Sequence, residues 1–296
     1  MRHFIHFVSF FVVCALLHSI ELRAQEIDSL LSSAITPGTE YTSATFKATR
    51  IVNGHSIEQM KTGQLDVRIH HRFGPVNSGP YALWGLDQSN IFLGLEYGIT
   101  DWLMAGVGRS SYEKTYNAFA KFRVIRQAAG ERSSPVSVSL FTGTDVFTTK
   151  WSDPSVKHYF TSRLSYQIQA LVARKFDENF SLQVSPSLVH KNLVPTELDN
   201  SDTYALGIGG RYKLTSRISL NAEYFFTIIP AVEGRTNNPN SFSLGVDIET
   251  GGHVFQIMLT NSLPMIERGF IAETTENWSS GGIHLGFNIS RVFTLL

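Results

Sequence analysis

From Gln64 onward the chain changes character at every second residue. Twelve segments do this: 64–73, 90–98, 102–110, 114–126, 136–147, 159–175, 179–190, 203–213, 217–228, 240–250, 253–262 and 281–293. "FSLQVSPSL" puts Phe180, Leu182, Val184 and Leu188 on one face and Ser181, Gln183, Ser185 and Ser187 on the other. "SFSLGVDIE" and "GIHLGFNIS" sort in the same way. A period of two is the signature of a strand, and no stretch repeats at 3.6. Typical segments run to about ten or twelve residues. A globular strand averages about five or six, whereas a tilted strand needs about 9–11 to cross a bilayer.

The connections narrow the choice. Long ones alternate with tight turns, with a short member at 111–113 among the long and a long member at 127–135 among the short. The tight ones carry turn chemistry in "GITDW", "FDENF", "LTSRI" and "ETGGH". Greek-key sandwiches do not keep such a rhythm, and bacterial outer-membrane barrels do. The expected fold is all-β: a single antiparallel up-and-down transmembrane β-barrel of about 12 strands over 64–296, with short periplasmic turns and long outer loops, in the bacterial outer membrane. A soluble β-sandwich is the structural alternative. Composition does not separate the two. Hydrophobic residues make up 43% and mean hydropathy is −0.02, but only every second residue of a barrel strand meets lipid. No run of about 18 apolar residues offers a spanning helix.

The N-terminus is a separate object. Arg2, an apolar run over Phe4–Leu17 and the small residue Ala24 describe a cleaved secretory signal peptide, residues 1–24. The only cysteine, Cys14, leaves with it, so no disulfide or thiolate site is expected in the mature chain. Cleavage also removes Arg2, Arg23 and Glu21 from 25 basic and 25 acidic residues. The remaining balance gives no basic excess for nucleic acid.

In the first segment, "QLDVRIHHRF", Leu65, Val67, Ile69, His71 and Phe73 alternate with Asp66, Arg68, His70 and Arg72. A charge facing lipid at mid-membrane costs about 2–4 kcal/mol, so the charged list faces the lumen. The same parity assigns Glu96, Lys121, Arg123, Arg163, Arg211, Glu223, Asp247, Glu249 and His284 inward. Gln167, Gln169, Gln183, Asn221 and Asn288 join them. Such a lining selects polar solutes at a constriction, or fills a narrow barrel with an internal network. Pro186 sits mid-segment where a closed barrel has no edge to excuse a missing donor, so a bulge or local break is expected there. In "LGIGGRY" the glycines leave room for a neighbouring lumenal group.

Residues 25–63 form a polar N-terminal periplasmic segment in which "VNGH" suits a type I′ hairpin turn. Three fates stand open: a plug inside the barrel, a periplasmic arm that binds a partner, or a disordered leader. The last long loop, "SLPMIERGFIAETTENWSS", is apolar for an outer loop. It folds inward over the lumen, packs on other loops, or binds an external ligand.

The stretches "ATFKATRIVNGHSIEQMKTGQLDVRIHHRFG", "NIFLGLEYGITDWLMAGVGRSS" and "ETGGHVFQIMLTNS…MIERGFI" resemble a β-barrel family of the Bacteroidetes, domain of unknown function 5777. The resemblance covers roughly residues 44 to 293. It implies a secreted outer-membrane barrel and no catalytic residues.

Enzyme chemistry has little support. His70, His71, His158, His190 and His253 are scattered, and no mature strand holds a His-x-Ser pair. No histidine spacing suits a metal, and no nucleotide glycine motif is present. No cofactor is expected. The expected function is a channel or transporter for small polar solutes through a charged lumen, with outer-membrane lipid around it. The alternatives are a closed scaffold or accessory barrel acting through partners, including a periplasmic partner on 25–63, and a barrel-embedded hydrolase.

Overall fold

The computed structural model describes residues 38–153, 155–228 and 238–295. The expected signal peptide and the part of the N-terminal segment before residue 38 lie outside the described residues. Two units are present. In the smaller, which reaches Tyr41 and includes Ala128–Ser133, Glu40–Tyr41 pairs antiparallel with Ala128–Ala129. The larger, Thr42–Gln127 with Ser134–Leu296, contains the barrel.

Its strands are β1 (Gln64–Pro75), β2 (Ser89–Thr100), β3 (Leu103–Ser110), β4 (Tyr116–Ile125), β5 (Ser137–Val146), β6 (Leu164–Lys175), β7 (Phe180–Lys191), β8 (Asp202–Lys213), β9 (Ile218–Ile228), β10 (Ser241–Thr250), β11 (His253–Thr260) and β12 (His284–Thr294). Each pairs antiparallel with its sequence neighbours, and β12 closes on β1, with Asn288 opposite His70. Every alternating segment of the sequence contributes one strand.

Parity is inverted relative to a water-soluble sheet. Along β8 and β9 buried and exposed positions alternate, with Thr203, Arg211, Ser219, Asn221 and Glu223 on the buried face and Leu206, Ile208, Leu220 and Phe226 on the exposed one. Leu93, Val107, Leu140, Ile168, Ile208, Leu220 and Ile257 all stand at least a third exposed on the outer surface. Such a continuous apolar belt is a lipid-facing surface. Exposed aromatics flank it at both ends: Trp102, Phe176, Tyr212 and Phe293 near the short turns, and Tyr116, Tyr166, Tyr204 and Phe226 near the long loops.

The short turns are held by their own side chains. Asp177 accepts from the amides of Asn179 and Phe180 at 2.7 and 2.8 Å. Thr215 accepts from Arg217 and Ile218 at 3.2 and 3.0 Å. Gly251 and Gly252, both at positive φ, close β10 to β11. Pro186 opposes Leu206 of β8, while on the β6 side the bridge pairs stop between Gln169–Ser187 and Val172–Val184 without a change of register. The missing donor therefore causes a local break, not a bulge.

Candidate functional site

The inward face of the barrel is occupied by the chain's own residues 42–61. The segment enters at the short-turn end, where the Gly63 amide donates to the Gly98 carbonyl at 2.9 Å. Gly98 is required there, because a Cβ would collide with the Lys61 carbonyl. Inside, Ser56 N donates to Thr49 O and Ile51 N to Gly54 O, each at 2.9 Å, making a narrow hairpin. The tip falls at Val52–Asn53, one residue before the expected Asn-Gly pair, and neither Asn53 nor Gly54 takes a positive φ, so this is not the expected type I′ turn. The reason is a wall residue. The Glu223 carboxylate accepts from the amides of Val52, Asn53 and Gly54 at 3.4, 3.1 and 2.9 Å. Three amides that would otherwise lack partners point at one carboxylate.

Apolar side chains anchor the same segment. Phe46, Ile51, Val52 and Ile57 pack with the inward-facing Met104, Phe119, Phe141, Leu171 and Met258 in one buried cluster. The glycines of "LGIGGRY" do make room for lumenal groups. Ile51 lies over Gly209 and Phe225 over Gly207.

Most parity-assigned residues face this segment. Asp66, Arg68, His70, Arg72, Glu96, Lys121, Arg211, Glu223, Asp247 and His284 are all buried. Arg68 pairs with Asp66 at 3.1 Å and donates to Thr49 and His70 at 2.5 and 3.2 Å. Thr49 donates to Glu96 at 2.5 Å. Arg72 donates to Asn53 Oδ1 at 2.8 Å and to Asn288 Oδ1 at 3.0 Å. Asp247 accepts from Gln256 at 2.9 Å, and His284 reaches the Phe73 carbonyl at 2.8 Å. Gln167, Gln169, Gln183, Asn221 and Asn288 are buried too.

Three residues differ. Arg163 lies in a one-turn helix, Phe160–Arg163, before β6; the chain is not extended there, so strand parity does not apply. It donates to the Phe147 and Thr149 carbonyls at 3.1 and 2.8 Å and stacks on Trp151. Arg123 and Glu249 sit half-buried beside the short-turn mouth. Arg123 donates to the Asp101 carbonyl at 2.7 Å, and Glu249 pairs with Lys47. Both line a recess of about 610 Å³ between residues 42–61 and the wall.

The long-loop end is covered as well. After β11 the chain turns inward, and α1 (Glu267–Ala272) is buried throughout. Phe270 and Ile271 pack with Val189, Ala205 and Phe225 of the wall, and Met265 and Ile266 pack with Phe92. Of the three fates open to this loop in the sequence, the inward one is observed, and the loop also packs on other connections, through Arg268 on Glu113 and over the Phe147 ring. Glu267 meets Arg50 of the hairpin at 2.6 Å, and Arg50 also approaches Glu96 at 3.9 Å. Arg268 pairs with Glu113 and Glu273.

Parity overlooks several polar residues. Asp145, fully buried on β5, accepts from Asn117 at 2.6 Å and Gln167 at 2.5 Å. It shares the parity of Ser139, but the inward Phe141 between them disguises the pattern. His55 lies between Phe119 and Phe141, with ring centroids at 4.6 and 4.4 Å and neither ring nitrogen hydrogen-bonded. Burial, then the charges of Arg50, Lys121 and Arg68, hold it well below its ordinary 6.5. The ring is neutral, so its 3.7 Å approach to Glu267 is not an ion pair.

Residues 46–293 match the family model described as Membrane bound beta barrel domain (DUF5777). The chain belongs to this family of membrane-bound β-barrels. No curated protein matches its sequence. Among solved structures it is similar to the NanC porin, at 11% identity and a TM-score of 0.49, over 78% of this chain and 100% of that one. An outer membrane channel from Pseudomonas putida F1 gives 15% and 0.49, over 82% and 100%. The KdgM porin gives 8% and 0.43, over 79% and 99%.

Proposed function

We propose that this barrel is a gated conduit for small polar solutes in the bacterial outer membrane, closed at rest by residues 42–61. One observation carries the reading. Beyond the bonds that wall residues make to one another, polar groups from many strands converge on a single continuous segment that enters from one end. Lys121, Gln183, Gln256 and Asn288, on four different strands, all bond to it. If that segment withdraws, it leaves a charged, water-accessible lumen. The short turns would lie in the periplasm, after export through residues 1–24. A periplasmic partner that grips the chain before Thr42 would then draw the segment out.

The closed accessory barrel is the second reading, favoured by the buried Arg50–Glu267 contact that ties the segment to the outer loop. Single-channel recording in planar bilayers separates the two. The chain from Gln25 should conduct rarely, and the chain from Lys61 should give steady steps. Equal steps from both would remove the gate. Silence from both, with heat-modifiable folding confirmed, would leave only the closed barrel.

A further inference from the structure

The wall holds residues 44–58 at many positions by their main chain. Lys121 Nζ donates to the carbonyls of Ser56 and Glu58, at 3.0 and 2.5 Å. Gln183 donates to His55 O at 2.7 Å, Arg211 to Ala44 O at 3.2 Å, Gln256 to Ile51 O at 3.1 Å and Asn288 to Val52 O at 3.1 Å. Glu223 supplies the opposite polarity and accepts from three successive amides. These six side chains stand on β4, β7, β8, β11, β12 and β9, so the pattern runs around the lumen. None of these bonds reads a side chain of the segment; side chains are bonded separately at Thr49, by Arg68 and Glu96, and at Asn53, by Arg72, Ser243 and Thr260.

Carboxamides, a lysine and an arginine aimed at carbonyls, with a carboxylate aimed at N–H groups, are complementary to an amide backbone of any sequence. A sugar offers hydroxyls but neither a carbonyl row nor successive amides. We propose that the lumenal wall is a peptide-binding site, that residues 44–58 are its resident occupant, and that the solute able to take their place is a short peptide. This rests on the reading of that segment as displaceable.

The test uses the full chain refolded in detergent, carrying Gly209→Leu to crowd Ile51 off the wall. Calorimetry compares acetyl-trialanine amide with sucrose. The peptide should bind at least tenfold more tightly. Adding Lys121→Met and Gln183→Leu should weaken the peptide at least tenfold and leave sucrose unchanged. Equal affinity for the two probes, no peptide heat, or indifference to the wall substitutions would overturn the proposal. If Gly209→Leu does not fold, the unsubstituted chain is digested with trypsin. Excess peptide, and not sucrose, should speed cleavage after the buried Arg50 severalfold; equal rates count against the site. Conductance of the same Gly209→Leu chain is recorded separately. Peptide binding without conductance would remove the conduit and keep the site. Conductance without peptide binding would do the reverse.

Discussion

Arg50 and Glu267 meet at 2.6 Å with each side chain only 1% exposed, one from the segment inserted at the short-turn end and the other from the loop folded in at the opposite end. Neither charge has water to fall back on. Removing one partner of a buried pair typically costs about 3–5 kcal/mol, whereas replacing both by apolar groups is often close to neutral. Arg50→Met and Glu267→Leu should therefore each lower stability by about 3–5 kcal/mol. The double variant should recover most of the loss. Urea unfolding in detergent micelles measures the cycle; strictly additive losses would mean that the two ends are not energetically joined.

Gly209 has no room for a side chain, since a Cβ there would lie 2.5 Å from Ile51 Cδ1. Overpacking of this kind typically costs about 1–3 kcal/mol. Here one of the two crowded groups belongs to the removable segment. Gly209→Leu should raise the frequency of single-channel openings from the full chain, and Ile51→Ala on the same background should lower it again. Openings unaffected by the second change would show that the leucine acts elsewhere.

The barrel was legible because a period of two with charges on one face has few physical solutions, and the alternation of long and short connections removes most of them. Ten of the thirteen charged or histidine residues assigned inward by parity are buried in the lumen. Their partners were not legible. Thr45–Gln59 reads as a polar loop, because nothing local distinguishes a segment that meets water from one that meets a polar wall. The inward Phe119 and Phe141 have the same cause: an apolar residue on the lumenal face makes sense only once Ile51 and Ile57 are known to lie against it. Arg163 failed for the opposite reason, a count of twos carried through a turn that is not a strand.

Pro186 interrupts the β6–β7 ladder without shifting it, and its side chain is exposed on the outer surface. A residue with an N–H and a β-branched side chain fits the same backbone. Pro186→Val should restore a ladder bond and raise stability by about 0.5–1.5 kcal/mol. A higher urea midpoint with an unchanged slope checks this; a lower midpoint would show that the break serves the barrel as it stands.

His55 gives the closed state a pH dependence. Its neighbours are Arg50 on its own hairpin, Lys121 on β4, Arg68 and His70 on β1, and Glu267 on α1. Burial, followed by the cations, holds its proton affinity below the ordinary 6.5. When the hairpin is out in water the ring recovers that value. Above pH 6.5 both states are neutral at this position and nothing is lost. Below it, the withdrawn hairpin takes up a proton that the inserted one refuses, so insertion weakens as pH falls. Glu267 opposes this trend, because burial raises its carboxyl and favours insertion at low pH. His55→Leu leaves Glu267 in place and removes only the histidine contribution. Openings of the unsubstituted chain should rise below pH 6.5 relative to those of His55→Leu. Parallel pH profiles for the two proteins would show that the ring between Phe119 and Phe141 plays no part in the closure.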